Sequence, residues 1–175
     1  KSKFTKIGIV GSGLMGHGIA YVSSYYGFKV VLIDNSKENV LTAYSKIEEI
    51  FKTDIRQNLF SNNQMEKCLD SIKVSTDVSD LEGCDLVIEA VYEDIALKRN
   101  VTIAAEKIME SSGVFSSNTS TIPISKLATV SVRPENFIGI HFFSPVHKMK
   151  LVEIIKSDNT SSNTLGRTLD FINAI

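Results

Sequence analysis

Cysteine, runs of like charge and long apolar runs are all scarce in this sequence. Only Cys68 and Cys84 are present, too few for a disulfide scaffold, so two reduced and packed thiols are expected. The formal net charge is −1 and no Lys/Arg-rich run occurs, which gives no support for binding to nucleic acid or a membrane surface. No apolar run approaches the length of a membrane span. A hydrophobic content of 43% over 175 residues predicts a globular domain with a substantial core.

An initiating methionine and a signal peptide are also lacking, since the chain begins with the polar segment "KSKFTK". At the other end, a helical segment from about residue 162 continues to residue 175 without a capping signal. We therefore expect residues 1–175 to form one domain that is a piece of a longer protein. The sequence leaves its cellular compartment open.

Short apolar segments alternate with helical segments along the whole chain. "KIGIV" (6–10) and "KVVLID" (29–34) are typical of strands covered on both faces, and a helical segment lies between them. The same alternation continues to two final strand segments, "NFIGIHFF" and "KLVEII". This order predicts a doubly wound, mostly parallel α/β sheet.

A glycine-rich turn follows the first strand in "GIVGSGLMGHG". The spacing G-x-G-x-x-G, between a strand and a helix, is typical of dinucleotide-binding folds of the Rossmann type. One glycine permits the tight turn, one lets the pyrophosphate approach the backbone, and one lets the helix pack on the strand. We expect the cofactor to contact Gly11, Gly13, Leu14, Met15 and Gly16.

Asp34 ends the second strand, at the place where such folds carry the acid that binds a ribose. A carboxylate accepts hydrogen bonds from ribose hydroxyls and repels a 2′-phosphate, which favours NAD over NADP, although Lys37 nearby is an opposing signal. FAD proteins share the glycine pattern and are an alternative. The remaining alternative is a set of ordinary turn glycines beside a helix-capping aspartate.

Polar side chains follow two later strands. Glu93 comes after "LVIEAV" with Lys98 near the start of the next helix, and Asn118 and Ser120 follow "GVFS". Ligands of open α/β sheets bind at the carboxyl ends of the strands, so we expect these groups to face the cofactor or substrate. A helix N-cap ahead of Pro123 is the alternative for this hydroxyl-rich segment, above all for Thr121.

The last two strand segments each contain one ionisable residue, His141 and Glu153. Apolar strands rarely bury a charge unless it has a partner, so the two are predicted to pair across neighbouring strands. A neutral imidazole held by a carboxylate is suited to accept the proton of an alcohol during its oxidation. A structural histidine with an unrelated glutamate is the alternative.

The other two histidines indicate no site. His17 falls in the first turn of a helix, where packing or solvation is expected, and His147 follows Pro145 in a turn. Neither forms a metal-ligand spacing with another His or Cys, so no metal is predicted.

Four segments resemble L-3-hydroxyacyl-CoA dehydrogenases in content and order. They are "GSGLMGHGIAY", "VIEAVYED", "SNTSTIPIS" and "RPENFIGIHFFSPVHKMKLVEII", and the resemblance runs from about Lys6 to the end of the chain. The residues of these segments are most similar to those in the dehydrogenase part of multifunctional fatty-acid β-oxidation enzymes. The resemblance implies NAD as cofactor and an acyl-CoA substrate, with oxidation of (3S)-hydroxyacyl-CoA to 3-ketoacyl-CoA.

The resemblance also implies a role for each matching position. His141 corresponds to the catalytic base, Glu153 to the acid that orients it, and Ser120 to the serine that contacts the substrate 3-oxygen. Glu93 and Lys98 correspond to positions near the nicotinamide, while Asp34 corresponds to the acid at the adenosine ribose. A following helical domain, absent from this sequence, contributes to the pocket and to dimerisation in the family. We therefore expect the isolated chain to bind NAD and turn over poorly, and the full-length protein to be a homodimer or a multifunctional chain.

Two other functions stay open. The β-hydroxyacid and 6-phosphogluconate dehydrogenases share the glycine pattern and are expected to use a lysine base. A non-catalytic NAD-binding protein, similar to crystallins that keep an enzyme fold, is the alternative from another class.

Overall fold

A single seven-stranded sheet organises the computed structural model, which describes residues 3–175. The strand order is β3-β2-β1-β4-β5-β6-β7, and β7 alone runs antiparallel to its neighbour. The strands are β1 (Lys6–Val10), β2 (Lys29–Ile33), β3 (Ile72–Ser75), β4 (Leu86–Glu89), β5 (Val114–Ser117), β6 (Phe137–Phe142) and β7 (Val152–Lys156). The predicted doubly wound, mostly parallel sheet is confirmed.

Within residues 3–175, six α-helices connect or flank these strands. They are α1 (Leu14–Tyr25), α2 (Lys37–Arg56), α3 (Asn62–Asp70), α4 (Ile95–Glu106), α5 (Ile124–Ala128) and α6 (Ser162–Ile172). Ser36 and Asp94 cap α2 and α4, because their side chains accept hydrogen bonds from the amides of Asn39 and Leu97. None of the helices in the described part of the chain is long and apolar enough to cross a membrane.

Apolar side chains cover both faces of the sheet, as the continuous apolar strands predict. On one face, Ile9 and Leu32 belong to the same buried cluster as Ile47 and Phe51 of α2. On the other face, Val31 and Val87 cluster with residues of α4 and α5, such as Leu127. Successive strand residues point to opposite faces, so every strand of the sheet centre contributes to both clusters.

Two helix ends differ from the sequence prediction. The segment "ENVLTAYSKIEEIFKTDIRQNLF" predicts one helix that continues to Phe60. In the structure α2 ends at Arg56, and Asn58 adopts a φ of 58°, in the left-handed region that stops a helix. The last helix was expected to reach residue 175 uncapped, but α6 ends at Ile172 and the Asn173 amide donates to the Leu169 carbonyl.

Candidate active site

The glycine-rich turn lies at the carboxyl edge of the sheet, between β1 and α1. Gly11 has a φ of +101°, which an L side chain rarely adopts, and its amide donates to the Ile33 carbonyl at 2.7 Å. A Cβ on Gly16 would stand 1.8 Å from the Gly11 carbonyl oxygen, so only glycine allows this approach of helix and turn. The helix begins without a side-chain cap and without an acidic residue in its first turn. Its free amides and positive dipole end are therefore available to an anion.

Asp34 accepts four hydrogen bonds, two from Ser12 of this turn and two from the start of α2. Its Oδ2 accepts from the Ser12 amide at 2.9 Å and hydroxyl at 2.8 Å, and its Oδ1 accepts from Asn39 Nδ2 at 3.0 Å and the Ser36 amide at 3.2 Å. Burial alone would raise the pKa of Asp34, but these donors outweigh burial and lower it. Asp34 thus stays charged and also braces the turn. Ser12 and Asn39 were not identified from the sequence.

A cavity of about 760 Å³ extends from the glycine turn past Asp34 to α4. Leu14 and Met15 line it, as do Tyr92 and Leu97, so the predicted cofactor residues of the turn share one space with the acid. Gly13 also lines it, and a Cβ placed on Gly13 would meet no atom within 4 Å. This open space above the start of α1 leaves room for a group to approach the backbone.

Three charged side chains cluster at the end of β4. Lys98 Nζ lies 2.8 Å from Glu89 Oε1 and 3.2 Å from Glu93 Oε2, and the side chains of Lys98 and Glu89 are each only 1% exposed. The sequence pointed to Glu93 and Lys98 but missed Glu89. An acid inside the apolar run "DLVIEAV" is the same signal that identified His141 and Glu153, so Glu89 could have been found.

The hydroxyl-rich segment from Ser117, the last residue of β5, to Thr121 in the following turn is held by these two carboxylates. Ser117 Oγ donates to Glu89 Oε2 at 2.6 Å. Glu93 Oε1 accepts from the amides of Ser120 and Thr121, at 3.0 and 2.9 Å, and from the Thr121 hydroxyl at 3.0 Å. Thr121 therefore does not cap α5, where Pro123 holds the N-cap position without a side-chain cap. The Ser120 hydroxyl makes no hydrogen bond within the described residues.

Asn118 joins this turn to β6. Its Oδ1 accepts from the Phe142 amide at 2.8 Å, directly after His141, and its own amide donates to the Glu89 carbonyl at 2.8 Å. The side-chain carbonyl is therefore engaged in holding two strand ends together. Its Nδ2 is the group left for a ligand.

His141 and Glu153 face each other in the β6–β7 register, with Nδ1 2.9 Å from Oε2. The predicted pair is therefore present. The expectation that both are buried strand charges was wrong, since the His141 side chain is half-buried at 18% exposure and the Glu153 side chain is 54% exposed. The reason is that β7 is an edge strand of the sheet. A carboxylate only accepts, so Nδ1 carries the proton of a neutral His141 and Nε2 keeps its lone pair.

A family model described as the NAD-binding domain of 3-hydroxyacyl-CoA dehydrogenase matches residues 6–175. The chain belongs to this family. Among curated relatives, this chain is 38% identical over 166 residues to the fatty acid oxidation complex subunit alpha of Vibrio vulnificus. The match covers 94% of this chain and 24% of that protein, so the chain spans about a quarter of the relative's length.

Solved structures of dehydrogenases agree with the family. The (S)-3-hydroxybutyryl-CoA dehydrogenase of Ralstonia eutropha matches with a TM-score of 0.96 and 35% identity, over 98% of this chain and 61% of that one. The dehydrogenase part of multifunctional enzyme 1 from C. elegans matches with a TM-score of 0.87 and 27% identity, over 99% of this chain and 40% of that one. Both are longer than this 3-hydroxyacyl-CoA dehydrogenase domain.

NAD is the cofactor of this NAD-binding domain, and the residues at the glycine turn fit it. The uncapped start of α1 and the open space above Gly13 suit a pyrophosphate, and the charged Asp34 suits the ribose hydroxyls. These three features lie along one cavity, as a dinucleotide requires.

The remaining histidines and the cysteines of the dehydrogenase domain lie outside this arrangement. His17 is buried and its Nδ1 bonds to the Gly13 carbonyl at 2.8 Å, whereas His147 is an exposed loop residue against the Tyr21 ring. Cys68 and Cys84 are free and buried, which confirms packed thiols. Across residues 3–175, no group of three or more His, Cys, Asp or Glu side chains is arranged to hold a metal ion.

Glu93→Gln is expected to change how the stability of the dehydrogenase domain responds to acid. Burial alone would raise the pKa of Glu93, but hydrogen bonds from Thr119 and Thr121 and the charge of Lys98 lower it from 4.5 to about 2. A lowered folded-state pKa stabilises the protein above pH 4.5, and this contribution is lost as the pH falls from 4.5 to about 2. Urea unfolding over this range should show a flatter loss of stability for Glu93→Gln. An unchanged slope would contradict the assignment.

Proposed function

We propose that the full-length protein oxidises (3S)-hydroxyacyl-CoA to 3-ketoacyl-CoA in fatty-acid β-oxidation, with NAD as the oxidant. The observation that carries this proposal is the 2.9 Å contact between His141 Nδ1 and Glu153 Oε2. His141 lies near the carboxyl end of β6, and the glycine turn follows the carboxyl end of β1 in the same sheet. Membership of a dehydrogenase family supports an oxidoreductase, and the histidine–carboxylate pair supports an alcohol as the group that is oxidised.

In this proposal, His141 is the general base. Its Nε2 accepts the proton of the substrate 3-hydroxyl, because Nδ1 is held by Glu153. The carboxylate then stabilises the imidazolium that forms, in the role that a buried acid has in hydrolytic triads. Bound NAD supplies the acceptor for the hydride from C3. The substrate thus loses one proton and one hydride and becomes a ketone.

Ser120 is proposed to bind the substrate 3-oxygen. Its hydroxyl is exposed and uncommitted within the described residues, while its amide is anchored by Glu93 at 3.0 Å. Glu93 and Lys98, together with Asn118, are proposed to lie at the nicotinamide end of the cofactor, since all three follow strands that end at this edge. Leu14 and Met15 of the cavity wall are proposed to contact the cofactor.

Residues 1–175 are proposed to be the NAD-binding domain of a longer protein. The relatives are longer than this chain, which covers 24% of the Vibrio protein and 61% of the Ralstonia one. A segment outside this chain would complete the acyl pocket and support a homodimer or a multifunctional chain. The isolated domain is then expected to bind NAD and to turn over acyl-CoA substrates poorly.

The environment of Lys98 speaks against the lysine-base alternative of β-hydroxyacid and 6-phosphogluconate dehydrogenases. The ammonium of Lys98 is an ion-pair partner of Glu89 and Glu93, at 2.8 and 3.2 Å, and is therefore not placed to act as a base on a substrate. Its side chain is also only 1% exposed.

NADH formation by the full-length protein is the first test. We expect NADH absorbance to rise with NAD and (3S)-hydroxyacyl-CoA and to stay flat with the (3R) epimer, which is the matched control. Turnover of free 3-hydroxy acids with no need for CoA would favour the β-hydroxyacid alternative. No turnover with acyl-CoA substrates of several lengths, despite bound NADH, would favour a non-catalytic protein.

A further inference from the structure

The ammonium of Lys98 is buried between two carboxylates. It lies 2.8 Å from Glu89 Oε1, 3.2 Å from Glu93 Oε2 and 3.2 Å from the Val91 carbonyl. Glu89 Oε1 and the Val91 carbonyl accept hydrogen bonds from this ammonium, and Glu93 Oε2 is its second ion-pair partner. Lys98 therefore connects the two carboxylates, and its effect on the residues after β5 is exerted through them.

The cluster carries two carboxylates and one ammonium, an arrangement that is costly to bury. Its members come from different elements, with Glu89 at the end of β4, Lys98 on α4 and Glu93 in the loop between them. Glu89 reaches the last residue of β5, and Glu93 reaches the turn that follows it. Glu89 accepts from Ser117 Oγ at 2.6 Å, and Glu93 accepts from the Ser120 amide at 3.0 Å.

We propose that Glu89 and Lys98 are positioning residues, which hold Glu93 and through it place Ser120 for the reaction. This inference rests on the proposed function, in which Ser120 binds the substrate oxygen. The line of contacts is continuous. Lys98 bridges the two carboxylates, Glu93 binds the backbone of the turn, and Ser120 presents an uncommitted hydroxyl from that turn.

The charge balance of the cluster provides a signature that packing alone would not give. Among residues 3–175, Lys98 is the one cation paired with these two carboxylates, so Lys98→Met leaves two like charges close together. Like charges disfavour joint ionisation, so the pKa of one carboxyl should rise. A protonated carboxyl holds the turn less well, and activity should fall as the pH is lowered through this new ionisation. Lys98→Met/Glu89→Gln removes one charge of each sign and should suppress the effect.

The test compares pH profiles of kcat for the full-length protein. Lys98→Met is expected to lower kcat by about 10- to 100-fold, the scale on which small misplacements of a reacting group act. The pH profile of Lys98→Met should also show an ionisation on the acid side that the unsubstituted protein lacks. The double variant Lys98→Met/Glu89→Gln should recover at least part of kcat and should not show that ionisation. Lys107→Met, at an exposed lysine after α4, is the matched control and should leave the profile unchanged.

A second measurement uses the cofactor-free protein and no substrate. With a carboxyl pKa raised in the folded state above its unfolded value near 4.5, Lys98→Met should gain stability as the pH falls towards 4.5. The double variant should not. The proposal would be overturned if the pH profiles of kcat and stability of Lys98→Met matched those of the unsubstituted protein. It would also be overturned if Lys98→Met/Glu89→Gln recovered no kcat relative to Lys98→Met. If Lys98→Met does not fold, Glu89→Gln is tested in its place. The fold-decrease in kcat must then exceed the fold-change in KM. If the parent shows no turnover, the proposed function fails, while the unfolding data still test the cluster.

Discussion

Replacing His141 with glutamine should lower kcat for (3S)-hydroxyacyl-CoA oxidation by about 10²- to 10⁴-fold, the usual contribution of a general base. Glutamine keeps a polar side chain of similar size but cannot accept the hydroxyl proton near neutral pH. NADH affinity should stay within about twofold of that of the unsubstituted protein, because the glycine turn and Asp34 follow β1 and β2, whereas His141 lies on β6. Steady-state kinetics and NADH fluorescence titration of the full-length protein measure the two quantities.

His147→Gln is the matched control for this substitution, since His147 is an exposed loop residue six positions later. It should leave kcat unchanged. The kcat of Glu153→Gln should lie between those of His147→Gln and His141→Gln. We expect kcat to fall by about 10- to 100-fold, the range seen when a partner that orients a histidine is removed. Parent-like kcat for His141→Gln would remove the proposed base. A parallel loss of NADH binding would indicate that His141 supports the fold instead.

Gly16→Ala should destabilise the domain by about 3 kcal/mol or more, the upper range for forcing extra atoms into a packed site. Alanine is favoured over glycine inside a helix by only about 1 kcal/mol. That gain cannot offset a Cβ 1.8 Å from the Gly11 carbonyl oxygen, since the obstacle is backbone and not a movable side chain. Urea or thermal unfolding of the cofactor-free protein measures the loss, and NAD binding should be lost with it.

Gly13→Ala is the control at the same turn, because its Cβ would point into open space. Its stability should stay within about 0.5 kcal/mol of the parent, as for substitutions that meet no neighbour. Its NADH affinity should fall at least about tenfold, equal to about 1.4 kcal/mol, since the new methyl occupies the approach of the pyrophosphate. Equal stability losses for the two variants would contradict this separation of folding and binding roles.

Much of the fold and part of the site follow from local patterns. The glycine turn and Asp34 could be predicted because β1, α1 and β2 are consecutive in the chain, so their geometry depends on short-range rules. His141 and Glu153 could be paired because a hairpin brings neighbouring strands together. Thr121 could not be assigned, because its partner Glu93 is 28 positions away on another loop.

The sequence by itself determined the alternation of strands and helices, the dinucleotide turn and the resemblance that the family match confirms. These depend on hydrophobic periodicity and on residue types at fixed spacing, which are properties of the chain alone. Only the tertiary structure decided which carboxylates share Lys98, that Glu153 lies exposed on an edge strand, and that Asn118 holds β5 to β6. The reason is physical. Hydrogen bonds between distant loops, and the exposure of a strand, depend on which elements become neighbours when the sheet is assembled.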